Sequence, residues 1–212
     1  MKIGIINYGI GNIGSVAGSL NNLGSDYIII KKENDFDLID KLILPGIGNF
    51  KKCKEILDSK NFTTKIREKV LIENIPILGI CLGMQLLASF GKEGSGSKFI
   101  EGLNLIAGEV ISLKEMGSKL VLPHIGWNNI NIKKKSQITK NIPMNTDFYF
   151  VHSYAYTQIN KKNIIAVAAY GVNFPVLINY KNIWGTQFHP EKSSKAGLEI
   201  IKNFINIDNV KN

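Results

Sequence analysis

The sequence has only two cysteines among 212 residues, too few for a disulfide framework. It contains no CxxC pair and no Cys/His cluster of the kind that binds zinc. No apolar run approaches the roughly 18 residues needed to span a bilayer. The apolar start is interrupted at Asn7 and Gly9, too early for a signal peptide. We therefore expect a cytoplasmic protein with free thiols and no membrane partner.

The sequence also has few acidic residues, 17 against 26 basic ones, which gives a formal net charge of +9. A basic balance raises the question of nucleic-acid binding. The lysines, however, stand in short scattered groups such as Lys133-Lys134-Lys135, without the interleaved aromatic residues of RNA-binding modules. We interpret them as solvated surface lysines and expect no nucleic-acid partner.

Short apolar runs alternate with helical patterns in the N-terminal part of the chain. The predicted strands are Lys2–Asn7, Tyr27–Ile30, Lys41–Leu44 and Ile75–Ile80, and the predicted helices are Ile13–Leu23, Phe50–Glu73 and Leu82–Phe90. This alternation predicts an α/β fold with an open, mainly parallel sheet and helices on both faces.

A β-rich section follows, because short β-like runs dominate from Asn104 to Ile132 and from Phe148 to Thr186. These runs predict a mixed or antiparallel part of the sheet. An amphipathic helix over Ser193–Ile207 comes last. Since 44% of the residues are hydrophobic and no clear linker appears, we expect one domain over residues 1–212.

One of the two cysteines stands in an unusual setting, the segment Gly79-Ile-Cys-Leu-Gly-Met-Gln85 between a predicted buried strand and a helix. A side chain between two glycines at such a junction is typical of a nucleophile elbow. The helix N-terminus favours a thiolate at Cys81, and its free backbone amides can bind an oxyanion. By itself the pattern also fits a small buried cysteine, which is how we interpret Cys53 in its helical stretch.

A catalytic thiolate needs a base, and the sequence has only three histidines. His189 directly follows an apolar, strand-like run, and Glu191 is placed to orient its imidazole, as in a catalytic triad. The glycines of Pro45-Gly46-Ile47-Gly48 follow another predicted strand, so this turn is expected at the same sheet edge as Cys81. It could supply a second oxyanion donor or be a plain turn.

Together these segments resemble the triad (class I) glutamine amidotransferases over nearly the whole chain, from about Ile3 to Phe204. The shared motifs are Pro45-Gly46, Gly79–Gln85 and Gln187-Phe-His-Pro-Glu191. A closer similarity, to the glutaminase subunits of imidazole glycerol phosphate synthase, rests on Tyr8–Ser15, Pro45–Phe50, Pro123–Asn128, Tyr149–Tyr154 and Pro190–Ser193. The resemblance implies a flavodoxin-like sheet and hydrolysis of L-glutamine without metal or organic cofactor.

The resemblance also implies roles for individual residues. Cys81 would be the nucleophile, His189 the acid and base, and Glu191 its orienter. Residues similar to those that hold the glutamine or the oxyanion are Gly46, Ile47, Gly48, Leu82, Gln85, Ser153 and Tyr154. Residues at positions that face the synthase subunit in the family are Trp127, Tyr149 and Lys192. His124 and His152 are interpreted as structural or interface residues.

The implied partner is a (β/α)₈-barrel cyclase that forms a heterodimer with this chain and consumes the ammonia. The product pair would be imidazole glycerol phosphate and aminoimidazole carboxamide ribotide. Two departures, Asn7 where the family commonly has Asp and Gly14 where it has a larger residue, leave the ammonia acceptor open. The alternatives are a sugar-amidating system for surface glycans, a binding module without catalysis, and a cysteine hydrolase of peptides.

Overall fold

The computed structural model describes residues 1–96 and 98–207. Its strands are β1 Ile3–Ile6, β2 Tyr27–Ile30, β3 Lys41–Gly46, β4 Ile77–Cys81, β5 Phe90–Gly91, β6 Ile100–Glu101, β7 Glu109–Ser112, β8 His124–Asn129, β9 Asn131–Ile132, β10 Asp147–His152, β11 Tyr154–Thr157, β12 Ile164–Ala169, β13 Asn173–Tyr180 and β14 Ile183–Thr186. Its helices are α1 Ile13–Asn22, α2 Phe50–Ser59, α3 Phe62–Arg67, α4 Leu82–Leu86 and α5 Ser194–Ile205. The single predicted domain ends at residue 212, outside the described residues, and stays a prediction.

An eight-stranded sheet in the order β2-β1-β3-β4-β14-β13-β12-β9 forms the centre of the molecule. The first five strands of this order are parallel, and β13, β12 and β9 continue the sheet in antiparallel fashion. A four-stranded sheet (β11-β7-β5-β6) and the pair β10-β8 complete the β-rich section. The predicted fold class is thereby confirmed.

The strands of the central sheet carry apolar side chains on both faces, as is typical of parallel strands. Helices cover both faces and remove these side chains from water. One hydrophobic core joins α1 and α5 to Phe148 and Phe150 of β10. The other joins α2, α3 and α4 to β7 and β11 through Val110 and Tyr156. In the described part of the chain, none of the helices has the length and apolar character needed to cross a membrane.

Two helix predictions were wrong in extent. The expected helix Phe50–Glu73 is interrupted at Asn61, which adopts a left-handed conformation (φ 57°) that asparagine tolerates. Its last part, Glu68–Ile72, is a short π-helix. The expected helix Leu82–Phe90 ends at Leu86. There the carbonyls of residues 86–88 accept hydrogen bonds from the amides of residues 103–106 instead of continuing the helix.

Candidate active site

The candidate site is built around Cys81, the last residue of β4, which has φ 54° and ψ −109°. Such a conformation is sparsely populated by residues with a side chain and persists only where the surroundings hold it in place. A Cβ on Gly79 would lie 2.6 Å from the Gly83 carbonyl oxygen. A Cβ on Gly83 would lie 1.8 Å from the carbonyl oxygen of Leu44. Both glycines of the elbow are therefore dictated by backbone-to-backbone packing.

The turn after β3 packs directly against this elbow. Gly46 is opposite Cys81 in the parallel register, and a Cβ on Gly46 would lie 2.7 Å from the backbone nitrogen of Gly83. The next two residues, Ile47 and Gly48, line the cavity in front of Cys81. Gly46 itself is not among the described residues that line the cavity, and its predicted part in substrate binding stays a prediction.

His189 reaches Cys81 because β14, which precedes it, is the neighbour of β4 in the sheet. Its Nδ1 is 2.8 Å from Glu191 Oε1, and the two side chains are only 3% and 1% exposed. Burial by itself lowers the pKa of His189, but Cys81 on one side and Glu191 on the other raise it to about 10. The arrangement therefore favours a protonated imidazole between Cys81 and Glu191.

A cavity of about 130 Å³ opens in front of Cys81 and His189. This is well below the roughly 300–1,000 Å³ of sites for drug-sized molecules, so it suits a small ligand. The lining residues are Ile47, Gly48, Cys81, Leu82, Gln85, Glu93, Val151, His152, Ser153, Tyr154, His189 and Lys192. Apart from Gly46, which packs against the elbow, all the predicted substrate-binding residues line this cavity.

Gln85 lies on α4, one turn after Cys81, and both hydrogens of its amide nitrogen have protein acceptors. Gln85 Nε2 donates to the Tyr154 carbonyl (2.8 Å) and to Gln187 Oε1 (3.1 Å). Gln187 Nε2 in turn lies 3.8 Å from the Cys81 sulfur. These contacts fix the Gln85 amide so that its Oε1 oxygen is the acceptor available to a ligand.

The predicted partner-facing residues lie near the mouth of the cavity. Trp127 on β8 is 54% exposed and packs edge-on against Tyr149 of β10, with ring centroids 6.0 Å apart. Ile125 and Val151, a cross-strand pair beside them, are also exposed. Lys192 is exposed and lines the cavity. An apolar surface therefore adjoins the entrance, and the partner-facing role of these residues stays a prediction.

His124 and His152 form a buried pair between this surface and the cavity. His152 Nδ1 is 2.9 Å from the Tyr154 carbonyl, which can only accept, so this nitrogen donates. Its Nε2 then accepts from His124 Nδ1 (3.0 Å), and His124 Nε2 accepts from Asn128 Nδ2 (3.3 Å). Burial lowers the pKa of His124 to about 4 and of His152 to about 3, which keeps both rings neutral.

Three residues near the site were not predicted from the sequence. Glu93 lines the cavity and accepts a hydrogen bond from the Phe50 amide (3.1 Å), and burial raises the pKa of its carboxyl group. It comes from a Gly/Ser/Lys-rich loop that carries no recognisable signal. Gln187 belongs to a recognised motif but had no role assigned, and Asn12 contacts Glu191.

The described residues contain no group of three or more His, Cys, Asp or Glu side chains arranged to hold a metal ion. The polar groups at the site are instead a thiol, an imidazole, carboxylates and amides, which are the groups of acyl-transfer chemistry.

A cysteine elbow and a His–Glu pair at the carboxyl edge of a mainly parallel sheet define a triad amidotransferase of class I, and comparisons with known proteins agree. Residues 5–207 match the family model described as Glutamine amidotransferase class-I. The chain belongs to this family and, within it, groups with the imidazole glycerol phosphate synthase subunits HisH.

Two relatives illustrate the similarity, and both carry the name Imidazole glycerol phosphate synthase subunit HisH. The protein from Leptospira borgpetersenii is 40% identical, covering 97% of this chain and 100% of the relative. The protein from Pelagibacter ubique (strain HTCC1062) is 41% identical, covering 98% and 100%. Among solved structures, that of PurLQS from Thermotoga maritima has a TM-score of 0.73 at 17% identity, covers 97% of both chains and shares the fold.

Proposed function

We propose that this chain is the glutaminase subunit of an imidazole glycerol phosphate synthase of histidine biosynthesis, and that it hydrolyses L-glutamine to glutamate and ammonia. The observation that carries the proposal is the buried line from Cys81 through His189 to Glu191 at the end of a small cavity. The full-length identity of about 40% with HisH subunits supports this pathway over the sugar-amidating alternative.

The chemistry follows from the positions of these groups. The Cys81 thiolate attacks the side-chain amide carbon of glutamine, and the backbone amides of Leu82 and Ile47 stabilise the oxyanion. The protonated His189 gives its proton to the nitrogen as the carbon–nitrogen bond breaks, so ammonia leaves and a thioester remains. His189 then removes a proton from water, whose oxygen attacks the thioester. Glutamate leaves, and the thiolate is regenerated beside protonated His189.

The cavity offers complementary groups for the amino-acid end of glutamine. Glu93 supplies a negative charge for the α-ammonium group, and Gln85 Oε1 supplies a second acceptor. The turn at Gly48 and the backbone at Ser153 and Tyr154 surround the position proposed for the α-carboxylate. A cavity of this size suits a single amino acid, which favours glutamine over a peptide as the substrate.

The same proposal includes the partner and the cellular setting. The exposed surface around Trp127 and Tyr149, with Lys192 at the cavity mouth, is proposed to dock on a (β/α)₈-barrel cyclase in a heterodimer. Ammonia released at Cys81 would pass into the barrel without meeting bulk water. We propose that this complex acts in the cytoplasm.

The covalent mechanism is tested with Cys81→Ala in complex with the cyclase. We expect glutamate release to fall to background while the circular-dichroism spectrum and the melting temperature stay close to those of the unchanged protein. Cys53→Ser is the matched control, because Cys53 is also buried and serine can keep its contacts with the Ile47 carbonyl, at 3.6 Å, and with the Tyr8 side chain. Full activity of Cys81→Ala would exclude a Cys81 thioester.

The pathway is tested by purifying the chain together with whatever partner binds it. We expect a barrel cyclase, low glutaminase activity of the isolated chain, and an increase when the cyclase and its ligand are added. Recovery of a sugar amidotransferase, or high activity independent of any partner, would contradict the histidine-pathway assignment.

A further inference from the structure

Asn12 ends the Gly-rich loop after β1 and occupies the N-cap position of α1, yet its side chain does not cap that helix. Asparagine is among the residues most often used to cap a helix, so the side chain forgoes a common local bond. Instead, Asn12 Nδ2 donates to Glu191 Oε1 at 3.2 Å, a contact between residues 179 positions apart.

The orientation of the Asn12 amide follows from its two partners. Only the NH₂ group of the amide can donate to a carboxylate, so the NH₂ group faces Glu191. The Oδ1 oxygen therefore points toward Ser15. Ser15 Oγ lies 2.9 Å from Asn12 Oδ1 and donates to it. A continuous series of contacts thus runs from Ser15 through Asn12, Glu191 and His189 toward Cys81.

Glu191 depends on this contact because its carboxylate has few other partners. Its Oε1 accepts both His189 Nδ1 (2.8 Å) and Asn12 Nδ2, whereas its Oε2 is buried and has no hydrogen-bond partner among the described residues. Because Oε2 has no donor among the described residues, the direction of this carboxylate depends on the two contacts at Oε1. Asn12 supplies a second donor and, with it, a fixed direction.

We infer that Asn12 is a positioning residue of the reaction, which keeps the Glu191 carboxylate aligned so that His189 faces Cys81. The inference rests on the proposed function, since it assigns a task within the same triad. It extends that function by making the Gly-rich loop between Asn7 and Asn12 part of the catalytic apparatus.

The test compares Asn12→Ala and Asn12→Asp in the complex with the cyclase, by steady-state glutamate release between about pH 6 and pH 9. In Asn12→Ala we expect kcat to fall roughly tenfold or more, the usual effect of removing an outer hydrogen-bond partner, with KM for glutamine within about twofold. Asn22→Asp is the matched control, because Asn22 is an exposed residue near the other end of the same helix.

Asn12→Asp separates positioning from mere packing. It has nearly the shape of asparagine but brings a second carboxylate against Glu191, and two such groups share one proton as pH falls. Once protonated, the carboxyl group that replaces the amide in this variant can donate to Glu191 as asparagine does. We therefore expect the activity of Asn12→Asp, relative to the unchanged protein at the same pH, to rise on acidification, while that of Asn12→Ala stays level.

A second measurement needs neither turnover nor a partner: the rate at which iodoacetamide alkylates Cys81 at pH 6 in the isolated chain. We expect Asn12→Ala to slow it roughly tenfold, because a misaligned His189 no longer supports the thiolate. The inference would be overturned by unchanged alkylation in Asn12→Ala, by kcat within twofold for both variants, or by a relative activity of Asn12→Asp that does not depend on pH. If the unchanged complex releases no glutamate, the proposed function fails and the inference fails with it, whereas active protein with unaffected Asn12 variants refutes the inference alone.

Discussion

Gly83 shows how strictly single positions are determined around the elbow. A Cβ there would lie 1.8 Å from the Leu44 carbonyl oxygen, an atom that belongs to the backbone of β3 and cannot rotate away. The close approach of α4 to β3 at the site thus depends on the absence of one side chain.

We predict that Gly83→Ala removes glutaminase activity and lowers the free energy of unfolding by about 1–3 kcal/mol or more, as overpacking does. Gly18→Ala is its matched control, since Gly18 lies within α1 and its Cβ would meet nothing within 4 Å. That change should stabilise the protein by about 0.4–1 kcal/mol with activity intact. Chemical denaturation measures the free energy of unfolding of the two variants. Equal values for Gly83→Ala and Gly18→Ala would contradict the packing argument.

Glu93 leads to a prediction about glutamine binding. Glu93→Gln keeps the shape of the side chain but removes the charge proposed to face the α-ammonium group. A hydrogen bond to a charged group is worth about 1.5–3 kcal/mol, so we expect KM for glutamine to rise roughly 10- to 100-fold with a smaller change in kcat. Initial-rate kinetics over a range of glutamine concentrations test this, and an unchanged KM would remove Glu93 from the binding site.

At the residue scale, the sequence predicted the groups that stand in motifs and missed those that do not. Cys81 and His189 were recognisable because glycines, a strand end and a proline accompany them. Glu93 comes from a loop whose composition is ordinary. Its approach to the cavity depends on how the four-stranded sheet sits on the central one, which a single sequence does not encode locally.

Lys41 connects two elements that are distant in the sequence. It begins β3, is 1% exposed, and donates through Nζ to the carbonyls of Phe204 (3.1 Å), Ile205 (2.7 Å) and Ile207 at the end of α5. A cation at this point donates to carbonyls at the C-terminal end of the helix and complements the negative end of its dipole.

We predict that Lys41→Met destabilises the protein by about 2–4 kcal/mol, because several buried carbonyls lose a charged donor while the aliphatic stem is largely retained. Lys202→Met, on the same helix, is the control. The Lys202 side chain is 54% exposed, and its Nζ forms a long, solvent-exposed ion pair with Glu199 Oε2 at 3.6 Å. Its loss should therefore change the free energy of unfolding by at most about 0.5 kcal/mol. Urea denaturation of the two variants tests the contrast, and similar values would refute the capping role.

Elements were predictable where the pattern is local. The alternation of strands and helices predicted the parallel sheet. The four predicted strands agree with β1 to β4 within two residues at each end. The end of α4 at Leu86 was not predictable, because it is decided by amides from residues 103–106. The adjacency of β4 and β14 is likewise a property of the tertiary fold.

The buried histidine pair affects the stability of the whole molecule. The ordinary pKa of histidine is near 6.5, whereas burial lowers the pKa of His124 to about 4 and of His152 to about 3 in the folded state. Between these values and pH 6.5 only the unfolded chain takes up the protons, so the free energy of unfolding falls as pH falls through this window.

We predict a loss of about 1.4 kcal/mol per pH unit from His152 alone within that window, measured by chemical denaturation at pH 7, 6 and 5. The variant His152→Gln can still donate and accept hydrogen bonds but does not titrate. Its free energy of unfolding should therefore fall less steeply as pH falls, by about 1.4 kcal/mol per pH unit, which corresponds to one proton. Identical slopes for both proteins would show that His152 does not couple folding to pH.

The order of strands in the central sheet has a consequence for the time at which the protein becomes active. Cys81 ends β4 and Gln187 follows β14, its neighbour, although 106 residues separate them. Because synthesis proceeds from the N-terminus, the Cys81 thiol emerges long before the imidazole of His189 can stand beside it. A partly made or partly folded chain therefore cannot release ammonia, and hydrolysis waits for the slow, long-range docking of β14.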